Sequence, residues 1–227
     1  MNSILTAAYQ RQAFVDGRFL RVVNWHNTPA TQRDQLFEEL SWYAARYRTV
    51  LPEDLDHVFD TGSWELDRPG IVLCFYDGYR NHLTVAAPLL DELGLTGWFF
   101  PPTGALDVAP DQQRDYARDH DIDLVPGELQ APWLMTWDDL GLISERHVIA
   151  AHTAHHTGAD DIVTAADAER EVHDPVGRLA ALTGRTPPAF AFLHGTVPVA
   201  GTVAGDAVLA SGVRYAVTNT AYIRIGD

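Results

Sequence analysis

The chain holds one cysteine, Cys74, in 227 residues. An internal disulfide framework is therefore excluded, and Cys74, inside an apolar run, reads as a small core residue. Basic residues are scarce: 16 Lys and Arg stand against 31 Asp and Glu, a formal net charge of -15. That balance speaks against nucleic acid, which needs clustered cations, and against anionic polysaccharides and membrane surfaces. A neutral or cationic substrate fits it better. No apolar stretch approaches the roughly 18 residues of a membrane-spanning helix. The segment Met1 to Arg11 lacks a basic region followed by a sustained apolar core, so no signal peptide is expected and a cytoplasmic location is. There is no internal repeat, heptad run or low-complexity tract.

What is present is an alternation of short apolar runs with amphipathic stretches, the pattern of βα units. Strands are expected at 19–25, 71–75, 97–100, 147–151, 189–193 and 214–218. Helices are expected at about 34–47, 82–93, 112–118, 137–140, 162–182 and 207–211. Thr31 is placed to cap the first of these, with Asp34 three residues on. Pro88 predicts a kink or a late start in the second, and Pro175 an interruption in the long one. At 46% hydrophobic residues the length suffices for one α/β domain spanning 1–227 with a sizeable core.

Polar residues follow the apolar runs directly: His26, Asp77, His152 and His194. Strand carboxyl ends carry the active site in β/α barrels and bind ligands in open sheets, so both architectures remain open at this point. Two histidines four apart, His152 and His156, close the fourth run, and Asp77 closes the second. Two neutral nitrogen ligands and one carboxylate, with a position left for water, is the donor set of a catalytic zinc or similar divalent ion. His155, between them, faces solvent or supports the ligands from behind. Trp25, Trp98 and Trp137 read as core residues or as a sugar-stacking wall. His57, His82, His120 and His173 carry no motif and are expected to face solvent.

The segment Phe75-Tyr76-Asp77-Gly78, with Ala87 to Phe100 after it, resembles the first motif region, Thr-Phe-Asp-Asp-Gly, of the polysaccharide deacetylases, or NodB-homology proteins (carbohydrate esterase family 4). His152-Thr153-Ala154-His155-His156 is similar to the family's His-Ser/Thr-x-x-His. Trp137-Asp138-Asp139-Leu140 resembles a Thr-Trp-Asp-x-Leu segment, and Phe190 to Gly195 looks like the third motif. The likeness covers roughly residues 20–220.

The resemblance implies a distorted, incomplete parallel β/α barrel and a metal-dependent hydrolase of non-peptide C–N bonds. Asp77, His152 and His156 match the metal ligands. Zinc is the expected ion, with cobalt, nickel or manganese as alternatives. The backbone N–H of His194 matches the oxyanion donor. Two departures stand out. The family's general base is Tyr76 here, and its orienting Arg falls at Ala191. No late histidine follows His194 to serve as acid, leaving His194 or His26 for that proton. Tyr79, Arg80 and Trp137 are the candidate substrate contacts. The expected substrate is a small molecule or oligosaccharide, with no nucleic acid and no membrane involved. Two other readings stay open. One is a relative that kept the metal but lost deacetylation, acting as a binder or Lewis-acid catalyst; the other is a metal-free barrel.

Overall fold

The computed structural model describes residues 3–124, 132–219 and 221–225. Within them, α1 (Ser3–Val15), β1 (Leu20–Trp25), α2 (Arg33–Ala44), β2 (Arg48–Thr49), α3 (Pro52–Thr61), β3 (Gly70–Tyr76), α4 (Ala87–Leu93), β4 (Gly97–Phe100) and α5 (Gln113–Asp119) form the first half. There follow α6 (Trp137–Ser144), β5 (Val148–Ile149), β6 (Ala151–His152), α7 (Ala165–Ala168), α8 (Asp174–Thr183), β7 (Ala189–Ala191), α9 (Val203–Ala210), β8 (Tyr215–Val217) and β9 (Tyr222–Arg224).

Two sheets carry the strands, β1-β3-β4-β5 with β2 also on β3, and β6-β7-β8-β9. All pairs are parallel except β8 with β9. Only Ala150 separates β5 from β6, and its N–H still bonds Phe99 O at 2.9 Å. The wall therefore curves continuously from β1 round to β9, and among the described residues no β1–β9 pairing closes it. This is the distorted, incomplete barrel that the sequence suggested.

Strand periodicity explains why the runs are apolar throughout. In β3, Val72, Cys74 and Tyr76 point into the barrel with Trp98, Phe100, Tyr215 and Tyr222. Ile71, Leu73 and Phe75 point outward beneath Leu36, Leu40, Leu89 and Leu90 of the covering helices. On the open side α3 is tied to the last strands by ion pairs of Asp56 with Arg214 and Asp60 with Arg224.

Both proline expectations resolve in one way. His82–Ala86 and Glu169–His173 form π-helical turns, each running into the α-helix that contains Pro88 or Pro175 near its start. A wider turn before a proline absorbs the missing N–H. The proposed Thr31 cap is not formed: Thr31 lies in a 3-10 turn, and α2 starts after Gln32 without a side-chain cap. Trp25 and Trp98 are core residues. Trp25 stacks on Phe75 at 5.2 Å, and buried Trp98 donates its Nε1–H to Val50 O at 2.9 Å.

Candidate metal centre and active site

Strand carboxyl ends bring five groups to one mouth of the barrel. His26 follows β1, Asp77 follows β3, His152 ends β6, His194 follows β7 and Asn219 follows β8. His152 shares the inward parity of Ala150, so its ring enters the mouth. Asp77 and Gly78 are both left-handed, at φ 71° and 72°. A short acidic side chain tolerates that conformation, and a glycine adopts it without steric cost. This turn is clamped from behind, because Met135 N donates to Gly78 O at 2.9 Å.

The ligand atoms of Asp77, His152 and His156 lie within 4.8 Å of one another, and all three residues are buried. Hydrogen bonds fix both rings. His156 donates its Nδ1–H to His120 O at 2.8 Å. The Thr153 hydroxyl donates to Thr157 O, so its oxygen accepts from His152 Nδ1 at 3.1 Å. Each Nε2 is left with a lone pair facing the shared space.

Asp77 divides its carboxylate. Oδ2 accepts from His26 Nδ1 at 2.7 Å. Oδ1 lies 3.1 Å from His156 Nε2, is fully buried, and has no aligned hydrogen-bond donor. A buried carboxylate oxygen opposed to imidazole nitrogens is costly unless a cation lies between them. The donor set therefore fits a divalent ion.

Electrostatics agree. Burial disfavours ionised Asp77, yet the adjoining imidazoles of His156 and His26 outweigh it and hold the carboxyl well below its usual range. Burial pushes His152 down to about 3, so it stays neutral and ligand-competent. The bond to Asp77 raises His26 above an ordinary imidazole.

Tyr76, where the resemblance implies a base, lines a narrow pocket beside Asp77, His152 and His156 but is almost wholly buried. The residue is 6% exposed, stacks on Phe100 at 4.8 Å and shares the inner core of the barrel with the buried Cys74. Burial above all pushes the phenol far beyond its normal value. The ring of His26 stacks on it from above, at 5.6 Å.

A cavity of about 280 Å³ opens over these groups, bordered by His26, Asp77, Tyr79, Asp121, Asp123, His156, Leu193, His194 and Asn219. Among the described residues, Asp77, Asp121, His156 and His194 are the four non-glycine residues at positive φ, and all four border this cavity. Strained backbone collects at functional sites. Of the candidate substrate contacts, Tyr79 borders the cavity and donates to Asp123 O at 2.7 Å. Arg80 instead pairs with Asp139 at 3.4 Å. Trp137 donates to Asp107 at 2.8 Å beneath the Arg178 guanidinium. Neither borders the cavity.

Several supporting residues escaped the sequence reading. His82, expected at the surface, is fully buried; its Nε2–H donates to the backbone carbonyl of His26. Burial drives its pKa down to about 4. His120, also expected to be idle, lends its carbonyl to His156 and stacks on Tyr116 at 4.0 Å. Half-buried His57 pairs with Glu65, and His173 is half-buried in a π-helical turn. Buried Glu171 accepts from His155 N at 3.0 Å and from His155 Nδ1 at 2.9 Å, which anchors the loop carrying both ligand histidines. No sequence signal marks it, because an acidic residue in a helix normally reads as a solvated one.

Several solved structures, some described as deacetylases, share this architecture at low identity. The Aggregatibacter actinomycetemcomitans de-N-acetylase superposes with TM-score 0.64 and 19% identity, covering 87% of this chain and 86% of that one. The Streptococcus pyogenes deacetylase PplD gives TM-score 0.62 and 14% identity, covering 83% and 78%. IcaB from Ammonifex degensii gives TM-score 0.62 and 17% identity, covering 87% and 82%. No curated protein sequence matches the chain. Residues 64–207, more than half the chain and including the whole Asp-His-His triad, match the family described as polysaccharide deacetylase. The chain belongs to the polysaccharide deacetylase family.

Proposed function

We propose that the protein is a metal-dependent hydrolase of N-acyl bonds, removing an acyl group from the nitrogen of a carbohydrate or small amide, with zinc as its ion. The observation that carries this reading is the unpartnered Asp77 Oδ1 facing two imidazole lone pairs at the floor of an open polar cavity. A divalent cation held there supplies a Lewis acid and lowers the pKa of water toward neutrality.

The chain's own groups do the rest. His26 is bonded to Asp77 through Nδ1, and Nε2 has no partner among the described residues. It takes a proton from the attacking water as the oxygen bonds the acyl carbon. It returns a proton to the nitrogen as the C–N bond breaks, so one ring serves both transfers. The backbone N–H of His194, in the left-handed turn bordering the cavity, steadies the oxyanion. Tyr76 forms the wall against which His26 stacks and moves no proton.

The test is acetate release from N-acetylglucosamine oligomers by the zinc-loaded protein. Turnover lost in Asp77→Ala and His152→Ala supports the reading; turnover unchanged in either refutes it. The filled base position favours a second reading, a relative that retains the ion for binding or for a different Lewis-acid reaction. A large rise in deacetylation on Tyr76→Asp would favour that second reading.

A further inference from the structure

We infer that the substrate carries a positive charge near its scissile amide, as an ammonium group does in an amino sugar linked to an N-acylated one. This rests on the hydrolase reading and specifies its substrate class.

The cavity has three carboxylates on its border, Asp77, Asp121 and Asp123, and no arginine. The chain contains no lysine at all. Asp77 bonds His26 through Oδ2, and its other oxygen would hold the ion. A divalent ion offsets Asp77 and one further carboxylate, and the exposed Asp121 and Asp123 keep the border of the cavity acidic. Asp77, 2% exposed, presents an Oδ1 without a hydrogen-bond donor at the floor of this cavity.

The acidic wall is built into the site. Asp121 and Asp123 flank Ile122, which is buried against Tyr79 and Ala117 in a small core of its own. Ile122 N donates to Ala117 O at 2.8 Å, and Tyr79 donates to Asp123 O. The segment is thus pinned by its middle, and the exposed acids on either side border the cavity. The residue before them, His120, holds the ligand His156. Both acids border the same cavity as His26 and His156. Among the described residues neither acid has an ion-pair partner. A substrate ammonium supplies the missing cation, and a neutral diacetylated sugar does not.

The experiment compares acetate release by the zinc-loaded full chain from mono-N-acetylated chitobiose and from N,N′-diacetylchitobiose at pH 6.5. The expected result is a kcat/KM about tenfold higher for the amine-bearing substrate, the effect of two exposed ion pairs. In the double variant Asp121→Asn, Asp123→Asn the ratio falls to near one. Equal values in the unmodified protein, or a preference that survives the double variant, overturns the inference while leaving the hydrolase reading intact. If neither compound is hydrolysed, the hydrolase reading fails, and calorimetry decides the charge preference separately. Fully deacetylated chitobiose should then bind the zinc-loaded protein more tightly than the diacetylated sugar, and lose that advantage in the double variant. Equal binding, or no binding of either, overturns the inference.

Discussion

His26 Nδ1 lies 2.7 Å from Asp77 Oδ2, so the carboxylate that faces the cation site with one oxygen orients an imidazole with the other. Binding and proton transfer are thereby joined in one side chain, yet they separate by mutation. Replacing His26→Ala removes the ring but none of the three ligands. The expected outcome is a fall in kcat of about 10²–10⁴ with zinc stoichiometry unchanged, read by acetate release beside elemental analysis.

Tyr76 gives the converse case. Its ring is packed in the barrel core with Cys74 and Phe100, so Tyr76→Phe should keep activity within about twofold and cost about 1 kcal/mol of stability or less. Tyr76→Ala empties a barrel position packed against Phe100 and should cost about 3–5 kcal/mol. Denaturant titration with parallel assays checks both; a large loss of activity in Tyr76→Phe would give the phenol a chemical role.

Glu171 supports the ligand loop from a buried position. Burial opposes its ionisation, but the bonds from His155 and Arg170 prevail and hold it down at about 2, against 4.5 for a free side chain. A lowered carboxyl contributes stability that is full above about pH 4.5 and lost as pH falls toward about 2. The stability gap between the unmodified protein and Glu171→Gln should therefore narrow across that window. Zinc affinity in Glu171→Gln should drop about 10–100-fold, measured by chelator competition.

Gly195 sits at φ +65, and a Cβ there would lie 2.8 Å from Asn219 N. Gly195→Ala should displace the His194 turn or Asn219 and lower kcat/KM, while zinc binding persists. Substrate kinetics with metal analysis separates this from unfolding.

Much of this was legible in the chain. Fully buried parallel strands are continuous apolar runs, so β1, β3 and β4 fall within one residue of their expected bounds. The two-residue β2 and the three-residue β9 are too short to show a period. The helix Pro52–Thr61 has an apolar face in place, but its sequence mixes that face with six acidic and polar positions, which hide it. Among site residues, Asp77, His152 and His156 were readable because ligand chemistry concentrates at strand ends with fixed spacing. His82, Glu171, Asp121, Asp123 and Asn219 were not. Their importance comes from what the fold sets beside them: a carbonyl, a loop amide or an open cavity. Arg80 and Trp137 erred in the other direction: the motif neighbourhood suggested substrate contact, and the fold pairs each with an aspartate away from the cavity.

The central claim is that Asp77, His152 and His156 hold one divalent ion. Zinc titration of the metal-stripped protein, followed by calorimetry and elemental analysis, tests it directly. The account predicts one ion per folded chain, a higher melting temperature with zinc, and loss of that ion in Asp77→Ala, His152→Ala and His156→Ala. Uptake of no ion by the folded protein, or an ion retained in all three variants, would contradict it.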